Sequence, residues 1–463
     1  MIFKRKMYNK LLAWKQQAAG TKALLIEGAR RIGKSTLVEE FAKNEYRSYL
    51  LMDFNKVSDS VTSAFNNYMN DLDTFFLILS SEYGVKLYPK ESIIIFDEIQ
   101  QFPKARQAIK YLVADGRFDY IETGSLISIK ENVKDITIPS EERTQLMYPM
   151  DFEEFAWAMN EEPLITYIRQ CFDKKEPLEQ GLHAKAMLLF RQYMIVGGMP
   201  KSLSAYLENN RSFEMADMEK RDILTLYRND IMKIKSGYRS SVLSIFDQIP
   251  AFLSRSERRV VMNRIEKGAS FPKYHDTFFW LSDSMIANEC FNCSDPNVGL
   301  SLNEDRTYVK CYMGDTGLLI SHTFDENEIS DGELYREILL GKLSVNEGMF
   351  YENVIAQMLV AAGHKLYFYT RYNEEKHRND MEIDFILSNH SKLKYKIFPI
   401  EVKSNDKYTI CSLIRFNESF YQRIGECYVI HPRNLCVKEG IVCLPIWPPV
   451  CDTLQKHKLT PVE

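Results

Sequence analysis

Short apolar runs alternate with amphipathic stretches over residues 22–155. The runs fall at 23–26, 49–54, 93–96, 120–121 and 146–147, with helical stretches such as 35–43 and 104–114 between them. That alternation predicts a parallel α/β sheet. Residues 156–235 read as helical, interrupted at Val196-Gly197-Gly198-Met199-Pro200, a turn between helices. From 236 to 320, short helices precede strand-like 285–291 and 308–313, the order of a winged helix. Residues 340–450 return to α/β, with a helix at 344–362 and strands at 366–370, 383–387 and 398–403.

The chain has 463 residues, enough for roughly three domains. Its composition is ordinary for a globular protein, and a formal net charge of −4 gives no global basic field. Any nucleic-acid contact must therefore come from a local patch. No apolar run reaches the roughly 18 residues a membrane helix needs, and the basic start lacks the apolar core of a signal peptide. A cytoplasmic location and no membrane partner are expected. Cys290 and Cys293 form a C-x-x-C without a matching second pair, which reads as two reduced thiols rather than a zinc site.

Three segments carry nucleotide chemistry. Gly28-Ala29-Arg30-Arg31-Ile32-Gly33-Lys34-Ser35-Thr36 fits G-x-x-x-x-G-K-[ST], with a strand before it and a helix after. Its glycines let backbone N–H groups turn toward phosphate oxygens, and the helix N-terminus adds its positive end. Lys34 is expected on the β- and γ-phosphates and the Ser35 hydroxyl on magnesium. Ile93-Ile94-Ile95-Phe96 is a buried strand ending in Asp97 and Glu98. Asp97 is expected to bind magnesium, and Glu98 to polarise the attacking water. Tyr120-Ile121-Glu122-Thr123-Gly124-Ser125 ends a further strand. Thr123 or Ser125 can reach the γ-phosphate or the water, unless the segment is only a strand-to-turn Thr-Gly-Ser.

Gly28–Thr36, Asp97-Glu98-Ile99-Gln100, Thr123-Gly124-Ser125 and the segment 149–155 together resemble the bacterial and archaeal AAA-like ATPases that carry a C-terminal domain of uncharacterised function. Val196–Pro200 and Asp222-Ile223-Leu224 also fit that family's pattern, so the resemblance spans nearly the whole chain. No arginine finger is readable from the sequence; Arg143, Arg221 and Arg228 are candidates beside their ordinary role in salt bridges.

Near the C-terminus, Glu382-Ile383-Asp384-Phe385-Ile386 is followed by Pro399-Ile400-Glu401-Val402-Lys403-Ser404, the layout D-x(n)-E-x-K. On adjacent strands, the Asp384 and Glu401 carboxylates could converge on a magnesium ion. Lys403, two residues after Glu401, shares its strand face and could activate water. Glu352 on the preceding helix could add a carboxylate. The set resembles the restriction-endonuclease-like superfamily. The alternatives are surface charges at strand ends, or a nuclease-like fold that no longer cuts. Arg255 to Arg264 is locally basic, either a phosphate-contacting surface or a solvated helix face.

The expected architecture is α/β. Residues 1–155 form an AAA-like P-loop NTPase core with a parallel sheet and 156–235 a helical lid. Residues 236–335 are winged-helix-like, and 336–463 form an α/β restriction-endonuclease-like domain. The expected cofactors are ATP and Mg2+, with a second Mg2+ in the C-terminal domain. DNA is the candidate macromolecular partner and a homo-oligomer the candidate assembly. The function expected is ATP-controlled action on nucleic acid. Its rivals are a nucleotide-gated signalling switch that binds without cutting, and a DNA-translocating motor.

Overall fold

The computed structural model describes residues 1–447 apart from 126–137, 235–236, 256–257, 261–270, 298, 326–331, 343–346, 374, 376–377, 392–393 and 406. These residues fall into two compact units. The first is Met1–Pro149 with Asp283–Met285, and the second is Met150–Ser282 with Ile286–Glu463.

In the first unit, β1 (Ala23–Glu27), β2 (Ser48–Asp53), β3 (Ser92–Asp97), β4 (Asp119–Gly124) and β5 (Glu142–Leu146) form one sheet in the order β2-β3-β4-β1-β5. Every pairing is parallel. Every residue of β1 and of β3 is buried, as the unbroken apolar runs predict. β5 is an edge strand with partly exposed positions, so its sequence, Glu142 to Leu146, is mostly polar; the apolar pattern marked only its last residue. Helices Lys34–Glu45, Asp59–Asn67, Leu72–Tyr83 and Pro103–Asp115 connect the strands. Two of them start on side-chain caps: Val61 N–H donates to Ser58, and Thr74 N–H donates to Asp71. One side of the sheet packs on an aromatic cluster in which Phe54, Phe65, Phe75 and Phe96 meet largely edge to face. The strand order inserts β4 between the strand that opens the P-loop and the strand that ends in Asp97.

The second unit begins with helices. Phe152–Ala158 starts on a reciprocal cap between Asp151 and Glu154. Helices Glu162–Lys174, Gln180–Val196, Pro200–Glu208, Phe213–Met232 and Arg239–Leu253 follow. The turn at Gly197 and Gly198 is tied by the Gly198 N–H, which donates to the buried Asp315 carboxylate at 2.6 Å. Then come β6 (Ala287–Cys293), β7 (Glu304–Met313), β8 (Leu366–Asn373), β9 (Arg378–Ile383), β10 (Phe385–Ser391), β11 (Lys394–Val402), β12 (Cys427–His431), β13 (Cys436–Lys438) and β14 (Ile441–Pro445). They form two sheets, β7-β6-β8-β9 and β10-β11-β12-β14-β13. The antiparallel β6–β7 pair stands where the sequence places a wing, and β6 also pairs in parallel with β8. One sheet therefore runs across the boundary expected at 335/336. Helix Gly348–Ala361 contributes Glu352, Asn353 and Gln357, all buried, toward β7 and the turn that follows it. Among the described residues, no helix is long and apolar enough to cross a membrane.

Candidate functional site

The first site lies at the carboxyl ends of β1, β3 and β4, where parallel sheets present ligands. Gly28 leaves β1 so close to the next strand's exit that a Cβ there would stand 2.4 Å from the Met147 carbonyl oxygen. Arg31 and Gly33 take positive φ values, 68° and 90°. The loop then opens helix Lys34–Glu45. Lys34 is buried, and its ammonium donates to the carbonyls of Gly28 at 3.0 Å and Ala29 at 2.9 Å. Burial lowers its pKa to about 8, against the opposing pull of Glu98 and Asp97.

Asp97 collects two hydroxyl donors. Ser35 Oγ donates to Asp97 Oδ1 at 2.7 Å, and Thr123 Oγ1 donates to the same oxygen. The inserted strand β4 is what brings Thr123 to the acid; Ser125, two residues further on, is also buried. Adjacent carboxylates on a regular strand would point to opposite faces. The chain avoids this by leaving β3 at Glu98, which takes φ 55° and ψ 49°, strained for a non-glycine residue. Gln100 Nε2 then donates to Glu98 Oε2 and holds the carboxylate. Glu122 is turned away from this group. It is fully buried, and burial first and Glu142 second push its pKa up, beside the Arg106–Glu142 ion pair at 2.7 Å. Ser35 and Asp97, a hydroxyl and a carboxylate already aimed at one another, fit the hard, oxygen-seeking magnesium ion.

The second site is a cavity of about 370 Å³ in the second unit, lined by Arg258, Glu382, Asp384, Glu401, Lys403 and Lys407 among others. The D-x(n)-E-x-K residues come together here. Asp384 sits at the junction of β9 and β10, and β10 pairs antiparallel with β11. Asp384 Oδ2 accepts the Val402 N–H at 2.8 Å. Glu401, which is 2% exposed, meets the Lys403 ammonium at 2.9 Å across one strand face. Burial raises the Glu401 pKa to about 7, and Lys403 opposes the shift. Glu352 is within reach only through another residue. It is fully buried, accepts the Tyr312 hydroxyl, pairs with Arg258, and lies 3.2 Å from Lys310 Nζ.

Lys310, Arg258 and Glu382 are the members that sequence reasoning left out. Lys310 is a single lysine within the apolar end of β7, Val309-Lys310-Cys311-Tyr312-Met313, and this was its signal: a charge in a buried strand needs partners. Arg258 belongs to the basic run, yet it turns inward to Glu352 rather than out to solvent. Ser256, Glu257, Val261, Met262, Asn263 and Arg264 of that run lie outside the described residues. Among the described residues, no three His, Cys, Asp or Glu side chains stand as a group able to hold a metal ion.

The remaining candidates have structural surroundings. Cys290 and Cys293 are buried free thiols on β6, both pushed up by burial, Cys293 to about 11. Arg221 pairs with Asp217 at 2.7 Å, and Arg228 with Asp325 at 2.7 Å and Asp247 at 3.1 Å. Of the aromatics that follow the basic run, which are expected to pack rather than stack on bases, Tyr274, Phe278 and Trp280 are core residues, while Phe279 is exposed.

Known proteins resemble this chain in pieces. Residues 20–156 match the family model of an AAA domain. Residues 187–328 match a domain of unknown function (DUF8612), and residues 347–448 another domain of unknown function (DUF4143). No curated protein matches the chain. Among solved structures, the chain is similar to the crystal structure of Cdc6p from Pyrobaculum aerophilum. The identity is 10% and the TM-score 0.28, covering 73% of this chain and 94% of that one; so low a score carries no argument. The AAA match and the geometry around Lys34, Asp97 and Glu98 support ATP binding and hydrolysis by the N-terminal unit.

Proposed function

We propose that the chain is an ATPase whose nucleotide cycle controls the action of its C-terminal pocket on nucleic acid. The ATPase half follows from the first site. Lys34 is held by neutral carbonyls, and charged phosphate oxygens are the stronger acceptors for its ammonium. The backbone N–H groups of Gly28 to Thr36 cradle the phosphates. Ser35 and Asp97 would hold magnesium, which would supply positive charge to offset that of the phosphates. Glu98, fixed by Gln100, orients the attacking water and accepts its proton, while Thr123 holds Asp97 in register.

The observation that carries the nucleic-acid half is the convergence of Asp384, Glu401 and Lys403 on one cavity bordered by Lys407, Ser404 and Asn405. A phosphodiester presents the charge and the oxygens that such amines and hydroxyls recognise. Cleavage is the stronger form of this reading, favoured by Glu401 and Lys403 sharing a face, where a water could be deprotonated beside a scissile phosphate. Plasmid incubated with the chain and magnesium or manganese, with and without ATP, tests both. Nicking that disappears in Lys403→Ala supports cleavage. DNA binding that differs between ATP and ADP, without nicking, supports controlled binding. No binding of DNA or RNA with either nucleotide would sink the proposal.

A further inference from the structure

Lys310 stands at the centre of the C-terminal charges. It is fully buried on β7, with its ammonium 3.2 Å from Glu352 Oε1, 3.4 Å from Glu382 Oε1 and 3.9 Å from Asp384 Oδ1. The three acids come from separate elements: helix Gly348–Ala361, β9, and the β9–β10 junction. The ring of Phe368 lies 5.0 Å away on a further strand, β8. Three carboxylates brought from distant parts of a fold repel one another unless a cation is placed among them. A divalent ion is one solution; here a side chain supplies the charge. The other carboxylates are also engaged. Glu401 meets Lys403, Glu352 also meets Arg258, and Asp384 turns its second oxygen to the Val402 N–H.

We propose that Lys310 is the resident cation of this pocket: its ammonium supplies, among Glu352, Glu382 and Asp384, the positive charge that a divalent ion supplies in other carboxylate clusters. The pocket then engages a phosphodiester without a divalent ion, through Arg258, Lys403 and Lys407 at its wall. The proposal rests on the nucleic-acid reading for its ligand, but its electrostatic claim stands on the ion pairs alone. Removing the Lys310 charge leaves Glu382 and Asp384 facing each other with no lysine between them. That state should repel phosphate and attract a small dication.

The experiment uses the full chain without nucleotide, with Mn2+ followed by electron paramagnetic resonance and a short DNA duplex followed by fluorescence anisotropy. For the wild type, EDTA should leave duplex affinity unchanged, and Asp384→Asn should leave Mn2+ occupancy unchanged. Lys310→Met should gain a Mn2+ site that the added Asp384→Asn change removes. Its duplex affinity in EDTA should fall at least about tenfold, and Mn2+ should restore it. A purely structural role for Lys310 would move none of these metal readouts. A wild-type Mn2+ site that Asp384→Asn abolishes would overturn the proposal, and so would a folded Lys310→Met that takes up no Mn2+. If Lys310→Met does not fold, the wild-type Mn2+ comparison still decides. If no duplex binds under any condition, the nucleic-acid reading fails, while the Mn2+ results still judge Lys310.

Discussion

At the P-loop, Lys34 is held by two backbone carbonyls and Asp97 by two hydroxyls. In the C-terminal pocket, Asp384 faces Lys310, Glu401 faces Lys403, and Glu352 meets both Lys310 and Arg258. The first set keeps its charges on neutral partners, which an anionic ligand and its magnesium can displace at little loss. The second satisfies charge with charge, and separating such a buried pair is expensive. A site of the first kind is built to exchange ligands on every turnover. A site of the second kind is built to keep its geometry and to admit a ligand at its wall. Substitutions that probe charge should therefore act on function at the P-loop, and on function and stability together in the pocket.

The largest effect is expected at Glu98. Glu98→Gln keeps the size of the side chain and its contact with Gln100 while removing the base. Turnover should fall roughly 10² to 10⁴-fold, with ATP affinity retained, as measured by steady-state hydrolysis beside nucleotide titration. Near-normal turnover would place the base elsewhere and remove the functional reason for the strained backbone at Glu98.

Next in size is Glu401. Its folded pKa, about 7, lies above the ordinary glutamate value near 4.5. The folded state therefore holds the proton more tightly than the unfolded state. This stabilisation is complete below about 4.5 and is lost as pH rises through about 7, by up to about 3 kcal/mol. Glu401→Gln should flatten the stability profile in that window, read from urea titrations in which hydrogen exchange follows the β11 amides. A wild type that instead gains stability toward pH 8, by an amount Glu401→Gln removes, would mean that the Glu401–Lys403 pair outweighs burial.

Lys34→Ala follows. It should cost ATP about a hundredfold in affinity, the scale of losing one charge-assisted contact in a buried site, with little change in unfolding midpoint. A large loss of stability instead would show that Lys34 supports its loop, and would weaken the contrast with Lys310.

How much of this was legible depends on where each signal resides. The P-loop and the Asp97-Glu98 pair are local: strand, loop and helix follow one another in sequence, and the unbroken burial of β1 and β3 writes itself as apolar runs. Helices Asp59–Asn67 and Leu72–Tyr83 lie between apolar runs, where helical stretches are expected, and their caps, Ser58 and Asp71, are written in the sequence. Polar β5 could not show in hydropathy because an edge strand need not be apolar. The juxtaposition of Asp384 and Glu401 followed from alternation and adjacency of strands. The pocket's further cations did not, because Lys310 and Arg258 lie far back in the chain, and the β6–β8 pairing and helix Gly348–Ala361 together place β7 at the pocket. Sequence periodicity reports which face of a strand is buried, but not which distant strand it faces.

The smallest effect, and the one that tests the contrast most directly, is the pH dependence of nucleotide affinity. In the free protein, burial lowers the Lys34 pKa to about 8. Phosphate favours the ammonium, so the bound pKa must be higher than the free one. ATP binding then takes up a proton between the two values. Affinity should be level below about pH 8 and fall above it by at most about tenfold per pH unit, until the bound pKa is reached. Calorimetry in buffers of different ionisation enthalpy at pH 8.5 (roughly midway in that window) should register the uptake as a buffer-dependent heat. The slope and the heat should both vanish in Lys34→Ala, whose weaker binding no longer depends on that proton. A slope that survives in Lys34→Ala would assign the titration to another group. A flat wild-type profile up to pH 9.5, beyond the ordinary range of a desolvated lysine, would show that Lys34 is already a full cation in the free loop. The P-loop would then hold its charge as firmly as the C-terminal pocket holds Lys310, and the difference between the two sites would lie in what surrounds the charge rather than in how readily it is exchanged.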